Sequence, residues 1–362
     1  MLKNLRGLFG PKLPAIRTYD DFWVWFAKNE QPFRESVTTG TAIEKVFFRK
    51  LAPALDQLNE GFHFLTGMSD ENTVELIITA DGEIGNFVFV EELVAAAPAI
   101  AGWKFTAHKP ATEAFNLEMS GYTFSTDNMH FVAQQHEQYP DKIDITIIHE
   151  DYNESNVTEI TRGVYIFLDN YLGELEFAMS IDWLEVAGPS ASGEKIPLEK
   201  LKDYLTWREK EFMEKYDSVR RDTDNDNYTL MQGQLDNGKL LIAAINRDLL
   251  DWDAKASHPW ALTVMISYFS TARNGMPGDD TLAELNDIEE SISALLKDAD
   301  GYLNIGRQTA RNVREIYFAC KEFRKPAKVI TGKQKELAGR YKMTFSIRKD
   351  KYWEFVEHYH LK

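Results

Sequence analysis

Apolar and polar residues alternate along this chain with two different periods. Apolar residues three or four positions apart predict amphipathic helices, and residues 43–55 carry such a stripe. A period of two predicts half-buried strands, and Ile143, Ile145 and Ile147 alternate in this way with polar neighbours. Both patterns recur along the whole length, so the sequence predicts a mixed α and β fold.

The first half of the chain predicts opening helices and then two strand–helix–strand units. The helices fall in residues 18–58, and the two units span residues 74–106 and 143–183. Weaker strands lie between the units. The last strand of the second unit is predicted at residues 177–183, and a charged amphipathic helix over residues 198–216 ends this half.

A polar segment without apolar residues, 220–227, is the best candidate for a linker. We therefore predict an N-terminal acidic α+β domain with opening helices over residues 1–218 and a linker over residues 219–227. The C-terminal domain is predicted over residues 228–362.

The second half begins with a hairpin, because Asn237-Gly238 between two strand-like runs is typical of a type I′ turn. The elements after the hairpin have the order β-α-β-β-α-β, which suits a ferredoxin-like sandwich with helices on one face of an antiparallel sheet. The first half has the same element order around its insertion. The predicted fold class is therefore α+β, with two tandem ferredoxin-like (β-α-β-β-α-β) α/β sandwich domains and antiparallel sheets.

Composition restricts the location that we expect for the protein. No apolar stretch approaches the ~20 residues that span a bilayer, so we expect no membrane segment. The first ten residues mix basic and apolar positions without a signal-peptide core, which favours a cytoplasmic location. The single cysteine, Cys320, excludes an internal disulfide and any multi-cysteine metal site.

Charge is distributed unevenly along the 362 residues, whose formal net charge is −16. Residues 51–200 contain 6 Lys and Arg against 26 Asp and Glu, whereas residues 301–362 contain 15 against 6. Two explanations remain open. The basic C-terminal segment either docks on the acidic N-terminal region or forms a binding surface for an acidic partner.

No recognisable motif for catalysis, a cofactor or a metal occurs. Asp222, Asp224 and Asp226 have the first three spacings of a calcium loop, but the required glycine and glutamate are missing. Residues 331–333 resemble the end of a phosphate-binding loop whose other residues are absent. We therefore predict no catalytic residue, no cofactor and no metal.

The most informative segments are Tyr-Leu-Asn-Ile-Gly-Arg-Gln-Thr at residues 302–309 and Arg-Glu-Ile-Tyr-Phe-Ala at residues 314–319. They are accompanied by Pro-Trp at the start of a strand, Asn-Gly-Met-Pro in a loop at residues 274–277, and Ile-Glu in the next helix. Together, over about residues 228–362, these features resemble the bacterial family called domain of unknown function 695. That family carries no established catalytic residues.

Members of the family are considered alongside domains similar to the regulator of ribonuclease activity B, a ferredoxin-like protein that binds and inhibits a ribonuclease. The resemblance thus implies a ribonuclease-regulating role as one alternative. The first half resembles N-terminal extensions of uncharacterised bacterial homologues at residues 60–68 and 89–94.

Five residues of the C-terminal half form the candidate binding surface, namely Asn274, Arg307, Thr309, Arg314 and Tyr317. We expect Arg307 and Thr309 in a turn between two strands, where a rigid scaffold presents polar groups. Arg314 falls on the same face of its predicted strand as the apolar residues, so it must lie at an edge or have a carboxylate partner. The alternative role for the arginines is structural, tying two strands or the 274–277 loop together.

The leading functional interpretation is a non-catalytic protein-interaction or regulatory module whose partner is another protein. An RNA-binding or ribonuclease-regulating protein is the alternative. RNA binding requires the basic residues of the C-terminal segment to form one surface. Those residues are Arg307, Arg314, Arg324, Lys325, Lys328, Lys333, Lys342 and Arg348.

A small-molecule enzyme with an unrecognised site is the third interpretation. It needs a concave pocket that gathers residues such as Asp144, His149 and Glu150, or Glu91 and Glu92. Each of these is interpreted more simply as a solvated residue of a strand or helix. The sequence leaves the oligomeric state open.

Overall fold

The computed structural model describes residues 13–113 and 115–360. The first ten residues, in which we expect no signal peptide, lie outside the described residues. The described residues form two compact units, the first up to Ala111 together with Gly173–Leu175, and the second from Thr112 to Leu172 and from Glu176 onward. The proposed linker at residues 219–227 lies inside the second unit, and the domain boundaries drawn around it stay a prediction.

The first unit packs helices against a small mixed sheet. Strand β2 pairs with β1 in antiparallel fashion and with β3 in parallel. The elements in chain order are α1 (Tyr19–Thr39), a π turn (Glu44–Phe48), α2 (Arg49–Asp56), β1 (His63–Met68), β2 (Val74–Thr79), α3 (Ile84–Ala95) and β3 (Trp103–Ala107).

Helix α1 begins and ends at residues suited to those positions. Thr18 and Asp21 form a reciprocal capping box at the start, and Gly40 takes the left-handed conformation at the end. The helix buries an aromatic face that includes Phe22, Phe26 and Phe33, each fully shielded from solvent. The first unit is therefore held together largely by aromatic packing.

A buried carboxylate closes the first unit at the carboxyl ends of its parallel strands. Glu174 accepts hydrogen bonds from the Thr79 hydroxyl at 2.6 Å, the Gly82 amide at 3.0 Å and the Lys109 amide at 3.2 Å. His108 Nδ1 lies 3.5 Å from the same carboxylate. Burial raises the pKa of Glu174, but these interactions outweigh burial and lower the pKa to about 2.

The second unit begins with a small hairpin and a four-stranded sheet. In that sheet, of order β8-β7-β6-β9, only β7 and β8 are parallel. The elements are β4 (Leu117–Met119), β5 (Tyr122–Phe124), β6 (Met129–Gln134), β7 (Asp144–His149), α4 (Val157–Leu172), α5 (Glu174–Ser180), β8 (Trp183–Ala187), β9 (Ile196–Pro197) and α6 (Leu201–Tyr216).

The strand expected at residues 177–183 is wrong in most of its length. Residues Glu174–Ser180 form helix α5, and the strand begins only at Trp183. Trp183 pairs with Asp144, the first residue of β7, so the residues before it have no strand to pair with. Good helix formers such as Leu175 and Met179 then follow their local preference.

The second unit also contains a six-stranded sheet in which every pair is antiparallel. Its order is β10-β11-β13-β14-β12-β15. The elements are β10 (Tyr228–Gln234), β11 (Leu240–Asn246), α7 (Arg247–Leu250), β12 (Trp260–Ser267), α8 (Asp279–Ser293), β13 (Tyr302–Ala310), β14 (Val313–Cys320), α9 (Arg324–Glu336) and β15 (Lys342–Lys349).

The predicted mixed α+β class with several antiparallel sheets is confirmed. The tandem ferredoxin-like topology is not. The strands of the first half are divided between two larger sheets, each of which contains a parallel pair, in place of one antiparallel sheet. A helix that crosses between two neighbouring strands leaves them parallel, and this happens at β2-α3-β3 and at β7-α4-β8.

The six-stranded sheet has one face covered by helices and another covered by the C-terminal residues. Helices α8 and α9 supply buried residues such as Ile288, Ile292 and Ile330 to the first, which we call the helix face. The C-terminal 3₁₀ segment Glu354–Tyr359 and Trp353 pack on the opposite face. Each face therefore has its own apolar core.

Strand β13 contains a bulge at Gly306. The register moves by one residue between Asn304 and Gly306, and Gly306 has a φ of 139°. A Cβ atom at this position would lie 2.2 Å from the backbone oxygen of Ala244 on the neighbouring strand. Only glycine fits here without displacing β11.

We predict that Gly306→Ala lowers the free energy of unfolding by about 2–5 kcal/mol, because it adds backbone strain and a clash with β11. Urea denaturation of the intact chain measures this loss. Gly233→Ala in β10 is the matched control, since no atom lies within 4 Å of a Cβ there. Equal stability of the two variants contradicts the role assigned to the bulge.

We predict that Glu174→Gln lowers stability at neutral pH by about 3 kcal/mol, because a carboxylate whose pKa falls from 4.5 to about 2 on folding stabilises the charged state. The contribution is fully present above pH 4.5 and is lost as the pH falls toward 2. Denaturation curves across this range should converge for wild type and variant at the acid end. The exposed Glu71→Gln is the control; a constant difference at all pH values contradicts the assignment.

Candidate functional site

A cluster of polar side chains lies between α8 and the helix face of the six-stranded sheet. At its centre is Arg314, whose side chain is only 2% exposed. Its Nε donates to Thr309 Oγ1 at 2.8 Å, and its Nη1 donates to Asn286 Oδ1 at 3.1 Å and to Glu289 Oε2 at 3.3 Å. The guanidinium therefore joins two strands to a helix.

The register of the sheet and the pitch of the helix bring these groups together. Thr309 and Arg314 are directly opposite partners on β13 and β14, on the face that Ile316 shares. Asn286 and Glu289 are three residues apart on α8 and so project from the same side of the helix. The cluster is thus fixed by regular elements rather than by loops.

One carboxylate serves two guanidinium groups. The Oε1 atom of Glu289 accepts from Arg307 Nη1 at 3.0 Å, while Oε2 faces Arg314. Burial lowers the pKa of Arg314 from its usual value, and the charge of Glu289 opposes that decrease. Because the arginine stays protonated, the buried pair is an ion pair, and removing either partner would leave an unpaired buried charge.

A cleft of about 250 Å³ opens beside this ion pair. Asn304 lines it with its Oδ1 atom buried and without a hydrogen-bond partner, while Nδ2 donates to Ser293 Oγ at 3.2 Å. The Arg307 side chain is 38% exposed and also lines the cleft. Asn304 and Arg307 are therefore available to a bound group, whereas Arg314 is enclosed.

The helix face continues from the cleft across two strands that α8 and α9 leave uncovered. The register aligns Arg307 with Ala244 of β11 and then with Leu230 of β10. Leu230 is 75% exposed and Tyr228, on the same face, is 54% exposed. The charges of Glu289 and Arg307 act on the Tyr228 hydroxyl, whose pKa burial raises. The cleft and the exposed apolar residues of β10 therefore form one surface.

Three of the five proposed site residues come together in this cluster, namely Arg307, Thr309 and Arg314. Arg307 and Thr309 are within β13, not in the turn where we expected them. The turn is formed by Arg311 and Asn312, which both have positive φ. Gly306 forms a bulge that does not end the strand, whereas a glycine at this point of the sequence predicts a turn.

The other two proposed residues lie elsewhere. Asn274 is exposed in the loop before α8, and its Oδ1 accepts a hydrogen bond from the Met276 amide at 3.1 Å. Tyr317 is on the opposite face of the sheet, where its hydroxyl donates to Glu315 at 2.8 Å and lies 3.4 Å from the Tyr359 hydroxyl. The residues that the sequence interpretation did not include in the site are Asn286, Glu289, Ser293 and Asn304.

The basic residues considered for RNA binding do not all share one face of the sheet. Lys342 and Arg348 pair with Ser267 and Ala261, which puts them on the face opposite Arg307. Others have acidic partners: Lys325 is 3.0 Å from Asp300 and Lys333 is 2.9 Å from Glu336. This division weakens the electrostatic argument for a nucleic-acid surface.

Two of the residues named for an enzyme site, Asp144 and His149, have structural partners. Asp144 is buried, its Oδ2 atom lies 2.8 Å from His136 Nε2, and burial raises its pKa. His149 is fully buried, with Nε2 3.0 Å from the Thr123 carbonyl oxygen and Nδ1 accepting from the Asp151 amide. The expectation that Asp144 and His149 are solvated is therefore wrong, because the side chains on both faces of β7 are covered.

Two carboxylates of the proposed linker come near a third from outside it. Oxygen atoms of Asp222, Asp224 and Asp298 lie within 4.8 Å. Asp298 accepts from both the amide and the hydroxyl of Thr223, and Asp222 accepts from the Asp224 amide. Carboxylate oxygens are suitable ligands for a cation. The hydrogen bonds just described close the loop, however, and already explain why the three carboxylates lie together.

The fold and the cluster define an α+β protein with a polar cleft on the helix face of an antiparallel sheet. Residues 226–359, which include the whole six-stranded sheet, match a family of unknown function (DUF695). This match confirms the resemblance of the C-terminal part. No curated protein and no solved structure matches the chain. Among the described residues, no helix is both long and apolar enough to cross a membrane.

We predict that Glu289→Gln lowers the free energy of unfolding by about 3–5 kcal/mol, because Arg314 loses its buried counter-charge. The neighbouring exposed Glu290→Gln changes stability by less than about 0.5 kcal/mol and serves as the matched control. Urea denaturation at neutral pH compares them. If Glu289→Gln is as stable as the control, the ion pair does not hold α8 on the sheet.

Proposed function

We propose that this chain is a non-catalytic protein-interaction or regulatory module. In this proposal an extended segment of a protein partner pairs with the free edge of β10 and lays side chains along the uncovered helix face toward the cleft. Backbone hydrogen bonds then supply affinity, and alternate side chains supply specificity. The partner segment carries an apolar residue opposite Leu230 and a polar group that reaches Arg307 and Asn304.

The observation that carries the proposal is the character of β10 as an edge strand. Within the described residues, no strand pairs with its outer side. Its sequence, Tyr-Thr-Leu-Met-Gln-Gly-Gln, has no charge and no proline, although 27% of the chain is charged. Natural sheets protect exposed edges with charges, prolines or bulges, so an unprotected edge with an exposed leucine favours pairing with another chain.

The opposite edge of the same sheet gives an internal comparison. Strand β15, Lys-Met-Thr-Phe-Ser-Ile-Arg-Lys, carries Lys342, Arg348 and Lys349. Those charges oppose edge-to-edge pairing there. The contrast between the two edges supports a binding role for β10 and none for β15.

We also propose a ferredoxin-like fold for the C-terminal half and a cytoplasmic location for the protein. The sub-order β13-β14-β12-β15, combined with the chain order β-α-β-β-α-β, supports a ferredoxin-like sandwich for the C-terminal half, with β10 and β11 as an added hairpin. Fold alone does not specify a partner. The single buried Cys320 suits a reducing compartment such as the cytoplasm.

Affinity capture from a lysate of the source organism tests the proposal, with and without nuclease. The baits are wild type, Leu230→Lys, and Leu295→Lys, a control at another exposed leucine. We predict protein partners that survive nuclease, are kept by the control, and fall roughly tenfold or more with Leu230→Lys, because a lysine there opposes strand addition and removes an apolar contact.

Each other outcome contradicts the proposal. Equal capture by wild type and Leu230→Lys means that β10 is not the binding edge. Nuclease-sensitive nucleic acid that is lost with Arg307→Ala supports the RNA-binding alternative, since phosphate contacts depend on exposed cations. Circular dichroism of each bait ensures that a loss of binding is not a loss of fold.

A further inference from the structure

A second cavity lies in the same unit, away from the helix-face cleft. Its volume is about 150 Å³. The apolar lining includes Met179 of α5, Phe212 of α6 and Trp260 of β12, and three lysines also line it, Lys321, Lys349 and Lys351. Neither the proposed interaction surface nor the Glu289 cluster uses any of these residues.

The three lysines carry more positive charge than the one carboxylate in contact with them can balance. Lys351 is 3% exposed, and its Nζ atom lies 2.8 Å from Asp182 Oδ2 and 2.5 Å from the Asp141 carbonyl oxygen. Lys349, whose side chain is 12% exposed, has its Nζ atom 3.0 Å from the other oxygen of Asp182. Lys321 Nζ donates to the Val219 carbonyl oxygen. Two ammonium groups, one of them buried, thus share one carboxylate, and the third is bonded to a neutral acceptor.

The neighbouring titratable groups respond to this excess of positive charge. Burial and the charges of Lys349 and Arg208 lower the pKa of Lys351 to about 8, despite Asp182. Burial and Arg220 lower the pKa of Lys321, although the charge of Asp217 opposes them. Burial, Lys321 and Arg220 lower the pKa of His258 to about 3. The cavity is therefore locally cationic in a chain whose net charge is −16.

We propose that this cavity binds a small organic acid, with its carboxylate against Lys349 and Lys351 and its apolar body against Phe212 and Trp260. The volume suits this class, since an apolar protein cavity of roughly 150 Å³ holds a benzene molecule. The anion adds the charge that one aspartate does not supply, and ammonium N–H groups beyond those bonded to Asp182 can donate to it. Glu209, exposed and also lining the cavity, disfavours ligands with several carboxylates.

Binding and protonation are linked in this proposal. A carboxylate beside Lys351 raises the pKa of that lysine, so at about pH 8 the half-deprotonated lysine takes up a proton as the ligand enters. An anion adsorbed on the outer surface causes no such uptake. Proton uptake is therefore a signature of the buried site.

Isothermal titration calorimetry of the intact protein with benzoate tests the inference, at pH 8 in two buffers of different ionisation enthalpy. We expect saturable binding, uptake of up to about half a proton per benzoate, and no comparable binding of benzyl alcohol, which has a similar body without charge. Replacing benzoate by chloride at the same ionic strength should give no saturable heat.

The variants separate the cavity from general surface charge. Lys321→Met should weaken benzoate binding roughly tenfold, and Lys351→Met should abolish the proton uptake. Met179→Trp, which fills the cavity without changing its charge, should abolish binding. Lys342→Met removes an exposed lysine of the same strand as Lys349, outside the cavity, and should bind as wild type does.

Four results would overturn the inference. They are no benzoate binding by folded wild type, equal binding of benzyl alcohol, binding without proton uptake, or unchanged binding by Met179→Trp. Circular dichroism and thermal unfolding of each variant ensure that a lost signal is a lost site.

Discussion

The C-terminal half depends on one carboxylate, that of Glu289. It is the counter-charge that keeps Arg314 buried between α8 and the sheet, and it also positions Arg307 at the mouth of the cleft. An apolar contact could hold the helix equally well, because buried ion pairs often add little net stability over well-packed apolar groups. What the ion pair adds is a defined orientation, since the guanidinium hydrogen-bonds Thr309 and Asn286 in one geometry. That fixed geometry is what gives the cleft a definite arrangement of polar groups.

The alternation of side chains between the two faces of a strand allowed part of this cluster to be predicted from the sequence. Arg314 follows the alternation of Ile316 and Phe318, and a charge on a buried face requires a partner. The identity of that partner was not accessible, because Glu289 is 25 residues away along the chain and only helix packing brings it close. Asn274 and Tyr317 were grouped with the cluster because they belong to the segments that carry the family resemblance. Alternation, applied equally to Tyr317, would have put it on the opposite face, where the structure has it.

The first half shows the limits of periodicity more clearly. The two strand–helix–strand units were predicted, but β1 and α5 were not. Element order also does not determine which strands share a sheet, because pairing depends on contacts between distant residues. The β2 and β3 strands and the β7 and β8 strands form parallel pairs in different sheets. Residues Glu174–Ser180 alternate in apolar character and are nevertheless helical. Period-two alternation over a few residues is compatible with either structure, and the available partner strand decides between them.

The bulge at Gly306 has a consequence for the evolution of this strand. Asn304 and Arg307 both line the cleft although they are three residues apart, which regular alternation forbids; the extra residue at the bulge resets the phase. Deleting Gly306 would restore regular alternation and leave Arg307 and Thr309 on the helix face, whereas inserting one residue between Gly306 and Arg307 would put Asn304 and Arg307 on opposite faces. The strand should therefore lose the bulge more readily than it gains a residue beside it. In that sense the number of residues between Asn304 and Arg307 is as much a determinant of the site as the side chains are.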